Sequence, residues 1–287
     1  MATQSPKVLI TGADGHLGKV CCEMLSSLDY HVIACHKKDV DIKDESQVIE
    51  ACLAHQPHII IHTAAFTDVD RAEVEPEEAY RVNAYGARHM ALAAKTIGAK
   101  LVHLSTDQVF QGTSEQPYKE MDYALPVNVY GASKLAGERF IQAIHEEHFI
   151  IRTAWLFGAD AVEIEIDRYS SASPSSLWNL QYDTIACPTY IPDLVSYMMM
   201  LMETTHYGLY HMTNSGYGSK TDFMQAIESQ IARPVYMEHS KDDFRAEPSR
   251  YARQPSHLVL ASTALKRIGL APLRDWREAL TSWVKDS

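Results

Sequence analysis

The segment NVYGASKLAGE, residues 128 to 138, sets Tyr130 and Lys134 four positions apart. On a helix that spacing stacks both side chains on one face. An ammonium beside a phenol favours tyrosinate and is expected to lower the hydroxyl's pKa from about 10, making it an acid or base near neutrality. With 15 tyrosines in 287 residues such a pair arises easily by chance, so its meaning depends on what surrounds it. Upstream, HLSTDQVF at 103 to 110 ends an apolar run in Ser105, Thr106 and Asp107. The Thr106 hydroxyl there can bond the same substrate oxygen as Tyr130.

The elements that must position these groups are short runs rich in Val and Ile: KVLITG (7 to 12), HVIAC (31 to 35), HIIIHTA (58 to 64), KLVHLST (100 to 106) and FIIRTAW (149 to 155). They read as buried strands. Helical patterns separate them: HLGKVCCEMLSSL; DESQVIEACLAHQ, opening with an Asp44/Gln47 capping box; PEEAYRVNAYGARHMALAAKTIG, closing on Gly98; and VYGASKLAGERFIQAIHEE. This alternation predicts an α/β fold, a doubly wound parallel sheet of Rossmann type with its ligand crevice at the carboxyl ends of the strands. After about residue 156 the rhythm breaks at GADAVEIEIDRYSSASPSSLWNLQYD, whose Ser/Pro cluster reads as a loop. Helices near 192 to 204 and 220 to 231, strands at LYHMTN and PVYMEHS, and a terminal helix in LRDWREALTSWVKD then predict a smaller C-terminal α/β substrate lobe. The expected division is residues 1 to 156 for a dinucleotide-binding domain with the catalytic helix and 157 to 287 for the lobe, with some segments returning to the sheet.

ITGADGHLGK places Gly12, Gly15 and Gly18, with His16 and Leu17 between the last two, where the first strand turns into the first helix. Glycines there allow a tight turn, close approach of backbone to a pyrophosphate and packing of helix on strand. The second strand runs into CHKKDVDI without the acidic residue that usually holds an adenosine ribose. His36, Lys37 and Lys38 suit a 2′-phosphate instead, which favours NADPH and leaves NADH open.

A net charge of −11 argues against a broad surface for nucleic acid or anionic membrane. The longest apolar run, VSYMMMLM, is too short to span a bilayer. Five cysteines without a CxxC suit a reducing compartment, so the cytoplasm is expected. The histidines are scattered, and HQPHIIIH, with His55, His58 and His62, has no ligand spacing; no metal site is expected.

Taken together, TGADGHLG, HIIIHTAAFTDVDRAE, VNAYGARHMA, LVHLSTDQVFQG, PYKEMD, PVNVYGASKLAGE, RTAWLFG, CPTYIPDL and LRDWREAL resemble, in order and over nearly the whole chain, the extended short-chain dehydrogenase/reductases and specifically the dTDP-4-dehydrorhamnose reductases. The resemblance implies that Thr106, Tyr130 and Lys134 are the catalytic triad, that Asp41 and Ile42 flank the adenine, and that Ala64 and Ala65 line the cofactor. It also implies that Trp155 contacts the sugar, with Thr67, Asp68 and Asp107 on the substrate side. The implied reaction is NADPH-dependent reduction of the 4-keto group of a dTDP-linked deoxysugar, for surface polysaccharide synthesis, by a protein for which a homodimer stays open.

The departures from the family lie toward the sugar: Gln108 and Gln111 replace a tyrosine and an aspartate, GADAVEIEIDRYSSASPSS at 158 to 176 replaces a helix, and RPxYS survives only as RQPSH at 253 to 257. They admit a regulatory reading, like the methionine adenosyltransferase β subunit, or another nucleotide sugar. A pyrophosphate asks for a cation in the second lobe, and Arg168, Arg250 and Arg253 are candidates. The serine-rich stretch is expected to act as a flap.

Overall fold

A computed structural model describes residues 5 to 160, 184 to 231 and 252 to 286. Six parallel strands form the main sheet in the order β2-β1-β3-β4-β5-β8: β1 is Lys7–Thr11, β2 His31–Cys35, β3 Ile59–His62, β4 Lys100–Thr106, β5 His148–Thr153 and β8 Gly208–His211. Ile59, Ile60 and Ile61 are consecutive and all buried, as they must be in a strand covered on both faces. Helices α1 (His16–Ser27), α2 (Glu45–His55), α3 (Val69–Val74), α4 (Pro76–Tyr80), α5 (Gly86–Ile97) and α6 (Val129–Ile144) fall between the first five strands. One core layer joins Leu17, Val20, Leu25, Val8, Ile10 and Phe149; the opposite layer joins Leu9, Ile60, Leu101 and Ile150 to Val48, Met90 and Ile141. The register pairs Thr11 with His62, His62 with His103 and Thr106 with Thr153, so the ends of the four central strands open on one edge.

Local chemistry sets the helix ends. Asp44 caps α2 by accepting from the amides of Ser46 and Gln47 at 3.0 and 3.2 Å. The expected box is only half made, because the Gln47 carboxamide oxygen accepts from Asp41 N at 3.2 Å and not from Asp44 N. Gly98 ends α5 at φ 69°, a left-handed cap that glycine adopts without cost.

The long helix expected over 76 to 98 is interrupted: Arg81–Tyr85 forms one π-helical turn between α4 and α5. The cause is tertiary. Asn83 accepts from Phe66 N at 2.8 Å and donates to Phe66 O and Ser133 Oγ at 3.0 and 2.9 Å, while its own carbonyl abuts Gly137 of α6.

The later chain both rejoins the sheet and builds a separate layer. Strand β8 pairs with β5, and α7 (Ile191–Met202) packs on α1. The short pairs β6 (Leu156–Phe157) with β7 (Thr189–Tyr190), and β9 (Asn214–Ser215) with β10 (Leu273–Asp275), frame a second core. In it Phe157, Phe223, Ile227, Trp276 and Trp283 join α8 (Lys220–Ile231) to α10 (Trp276–Asp286); α9 (Thr263–Arg267) precedes β10.

The terminal helix expected from residue 273 starts at Trp276, since Leu273–Asp275 is strand and the Asp275 carboxylate accepts from Arg277 N at 2.8 Å, capping the helix there. The expected strand PVYMEHS lies outside the described residues. Among the described residues no helix is long and apolar enough to cross a membrane.

Candidate active site

The strand ends and the second layer enclose one cavity of about 1080 Å³. At its nucleotide end Gly12 has φ 71°, and a Cβ there would come within 2.7 Å of Ala64 N. A Cβ at Gly18 would fall onto the Gly12 carbonyl, 2.8 Å from its carbon. These two glycines let α1 start directly against the β1 turn. The first turn of α1 carries no acidic residue, so its backbone N–H groups and the positive end of its dipole suit an anion. Gly15, His16, Leu17, Ala64, Ala65, Asp41 and Ile42 line the same end.

Beyond β2, His36 and Lys37 also line the cavity, and the His36 imidazole meets Asp14 at 2.8 Å. Lys38 is exposed and is not part of the wall. Lys43 is, held by Glu78 at 2.8 Å and Asp41 at 3.7 Å. That glycine cradle and cationic rim fit a phosphorylated dinucleotide.

At the other end, Thr106, Asp107, Tyr130 and Lys134 converge. Thr106 is the last residue of β4, and its hydroxyl caps a single 3₁₀ turn by accepting from Gln108 N at 3.2 Å while donating to Asp107 Oδ1 at 3.0 Å. Asn128 caps α6 through Gly131 N at 2.8 Å and donates to Gln108 Oε1 at 2.9 Å, locking the start of α6 to that turn.

Tyr130 hydrogen-bonds Thr106, yet burial, with the Asp107 carboxylate adding to it, pushes its pKa up to about 12. This reverses the direction expected from a neighbouring cation. Burial outweighs any help from the cation, and the buried Lys134 ammonium itself donates to Leu104 O at 2.5 Å, burial bringing its pKa down to about 8 against the opposing pull of Glu138. Burial also raises Asp107 to about 7 and lowers His62 to about 3.

Trp155 holds φ 36°, an uncommon conformation for so bulky a residue, and lines the cavity beside Lys220, whose Nζ is 6.0 Å from the indole centroid. Thr184, Pro188, Phe223, Gln254, Pro255 and Leu258 complete the wall contributed by the later chain.

Residues 6 to 287 match the model of the RmlD substrate binding domain family. The chain belongs to this family. It is 36% identical over 282 residues to the spore coat polysaccharide biosynthesis protein SpsK of Bacillus subtilis, covering 98% of this chain and 97% of that one. It is 35% identical to the dTDP-4-dehydrorhamnose reductase of Mycolicibacterium smegmatis, over 97% and 85% of the two chains. The crystal structure of dTDP-4-dehydrorhamnose reductase from Bacillus anthracis in complex with NADP superposes with a TM-score of 0.88 at 35% identity, covering 100% of both chains.

Within this RmlD-family site the residues singled out from sequence fall as follows. Thr106, Tyr130, Lys134, the three glycines, His16, Leu17, His36, Lys37, Asp41, Ile42, Ala64, Ala65, Thr67, Asp68, Asp107 and Trp155 share the one cavity. Arg253 is exposed and outside the wall, although its neighbours Gln254 and Pro255 belong to it; its carbonyl accepts from Asn128 Nδ2 at 3.0 Å. Arg168, Arg250 and the serine-rich stretch from 161 onward lie outside the described residues.

Sequence reasoning missed Asp14, Lys43, Arg71 and Lys220, all in the wall. For Lys220 a signal existed: it opens a helix straight after the turn-rich NSGYGS, where a loop meets the crevice. Among the described residues no group of three His, Cys, Asp or Glu is placed to hold a metal ion.

Proposed function

We propose that this chain reduces the 4-keto group of dTDP-4-dehydrorhamnose to give dTDP-L-rhamnose, with NADPH as reductant and NADH as a weaker substitute. One observation carries the reading: Thr106, Tyr130, Lys134 and the glycine-cradled start of α1 all line a single cavity. The dinucleotide, when bound, supplies hydride to the carbonyl carbon. As charge grows on the carbonyl oxygen, Tyr130 delivers its proton there, and the Thr106 hydroxyl, turning from Asp107 Oδ1, donates to the same oxygen.

Lys134 holds the nicotinamide ribose and keeps positive charge beneath the reacting centre. The part of the chain up to residue 156 serves the cofactor, and the later part grips the sugar nucleotide. All five cysteines are free, which accords with work in the cytoplasm. The product would feed a surface polysaccharide. The direct test is NADPH oxidation followed spectrophotometrically with dTDP-4-dehydrorhamnose, which should be turned over; its refusal by folded protein would exclude the reading.

Two cations make separable predictions. Lys37, exposed at the adenine rim, is assigned to the 2′-phosphate. Lys37→Ala should weaken NADPH about ten- to a hundredfold and leave NADH nearly unchanged, the effect of one charged hydrogen bond. Lys38→Ala should do neither, and cofactor titrations by fluorescence distinguish them. Lys220 is assigned to the pyrophosphate of the sugar nucleotide, the part sought from an arginine. Lys220→Ala should raise KM for the sugar nucleotide about ten- to a hundredfold with NADPH affinity preserved. An unchanged KM would remove Lys220 from the grip.

A further inference from the structure

One turn beyond Lys134 on α6, Glu138 is 1% exposed, and its carboxylate is fully engaged. Arg152 of β5, 4% exposed, grips it through Nε to Oε1 at 2.9 Å and Nη2 to Oε2 at 2.6 Å, the planar two-point match that makes such pairs strong. Ser105 Oγ of β4 donates to Oε1 at 2.5 Å. The guanidinium lies over the Phe110 ring, 5.0 Å from its centroid, and Nη1 has no hydrogen-bond partner among the described residues.

A buried ion pair of this kind adds little net stability over an apolar pair of the same volume, so its retention directs attention to its surroundings. Those surroundings are catalytic. Ser105 immediately precedes Thr106, and the i, i+4 spacing puts Glu138 on the Lys134 face of α6.

We propose that Glu138 is a positioning residue of the site: anchored by Arg152 and Ser105, it supplies the fixed negative charge that keeps Lys134 an ammonium inside the protein.

The groups around Lys134 show why such a charge is needed. On β3 and β4, His62 and His103, kept neutral by burial, lie within its electrostatic reach, and the Leu104 carbonyl accepts from it. On α6, Tyr130 and Glu138 lie one turn to either side of it; Asp107 flanks Tyr130 on the adjoining 3₁₀ turn. Glu138 is the charge that opposes the desolvation of Lys134, and Arg152 is held by both its oxygens. Without Glu138 the lysine would be a buried cation facing neutral rings and a single carbonyl, and would shed its proton sooner.

The test reads Lys134 directly. In protein labelled with ¹³C-lysine, without cofactor or substrate, the Cε resonance that disappears in Lys134→Arg is titrated. The native midpoint is expected at about 8. Glu138→Gln should lower it by about one unit. The double variant Glu138→Gln/Arg152→Met leaves no unpaired charge to unfold the protein and should lower it likewise. Glu138→Asp, which keeps the charge, should restore most of the native value. The alkaline limb of kcat should move in parallel.

A midpoint that stays put in either folded glutamine variant overturns the proposal, as does one that falls as far in Glu138→Asp as in Glu138→Gln. The inference builds on the reductase reading but is separable from it: a shifted midpoint in a protein that turns over no dTDP-sugar supports the role of Glu138 and removes the assigned substrate instead.

Discussion

Tyr130→Phe is expected to lower kcat by about 10²- to 10⁴-fold, the usual contribution of a positioned acid, while KM and the affinity for NADPH stay within a fewfold of native. With its pKa pushed up to about 12, the hydroxyl keeps its proton near neutral pH. In the proposed reduction it would therefore serve as an acid, the role that carbonyl reduction requires.

A phenol of raised pKa is a weak acid in the ground state. Its hydrogen bond strengthens as the carbonyl oxygen gains charge, so its contribution is concentrated in the transition state. The Phe variant keeps the ring, and with it the packing at the start of α6. The loss should appear equally in kcat and kcat/KM, the pattern of an interaction made only at the transition state. Steady-state kinetics with saturating NADPH checks this, and near-native turnover would show that another group delivers the proton.

The same site should lose activity as the pH rises through about 8, where Lys134 gives up its charge. The sign follows from the direction of the shift. A lysine pulled below its usual range is an ammonium on the acid side of its midpoint and neutral beyond it, so the charged, active form is the low-pH form. A rate profile rising through that range would reverse the assignment.

How much of this was legible in the sequence depended on whether the cause was local. The strands could be read because Ile59, Ile60 and Ile61, or Phe149, Ile150 and Ile151, have no polar face to offer water. The glycine turn could be read because its three glycines follow an apolar strand directly. The π turn at Arg81–Tyr85 could not, because its cause is Asn83 reaching Phe66 and Ser133, residues 17 and 50 positions away. Nor could Leu273–Asp275 be separated from the helix after it, since its pairing partner Asn214 is distant in the chain. In the site, the convergence of Thr106, Tyr130 and Lys134 on one crevice was legible. The raised pKa of Tyr130 was not, because it comes first from burial in the folded chain, which the spacing along one helix does not reveal.

The second large effect is expected at a residue with no side chain to lose. Gly131→Ala adds one methyl group to α6 directly after Tyr130, and that methyl would fall onto the Gln108 carbonyl, 2.9 Å from its carbon and 3.1 Å from Pro126 Cβ. Judged by helix propensity alone the change should stabilise the protein by about 1 kcal/mol. The overlap opposes this with backbone atoms that cannot rotate aside, so α6 and the 3₁₀ turn after Thr106 must separate. Those two elements carry the proposed acid and its partner, and a displacement of about 1 Å at a reacting centre costs about a hundredfold in rate.

The variant should therefore bind NADPH through the distant glycine turn with little change while kcat falls about a hundredfold. Gly98→Ala supplies the contrast: at φ 69° it is strained, but nothing lies within 4 Å of the added Cβ, and it ends α5 away from the cavity. It should lower the melting temperature and leave kcat per folded molecule unchanged. Melting curves and kcat measured side by side decide between the two effects. If folded Gly131→Ala turns over at the native rate, close approach of α6 to Gln108 does not set the position of Tyr130.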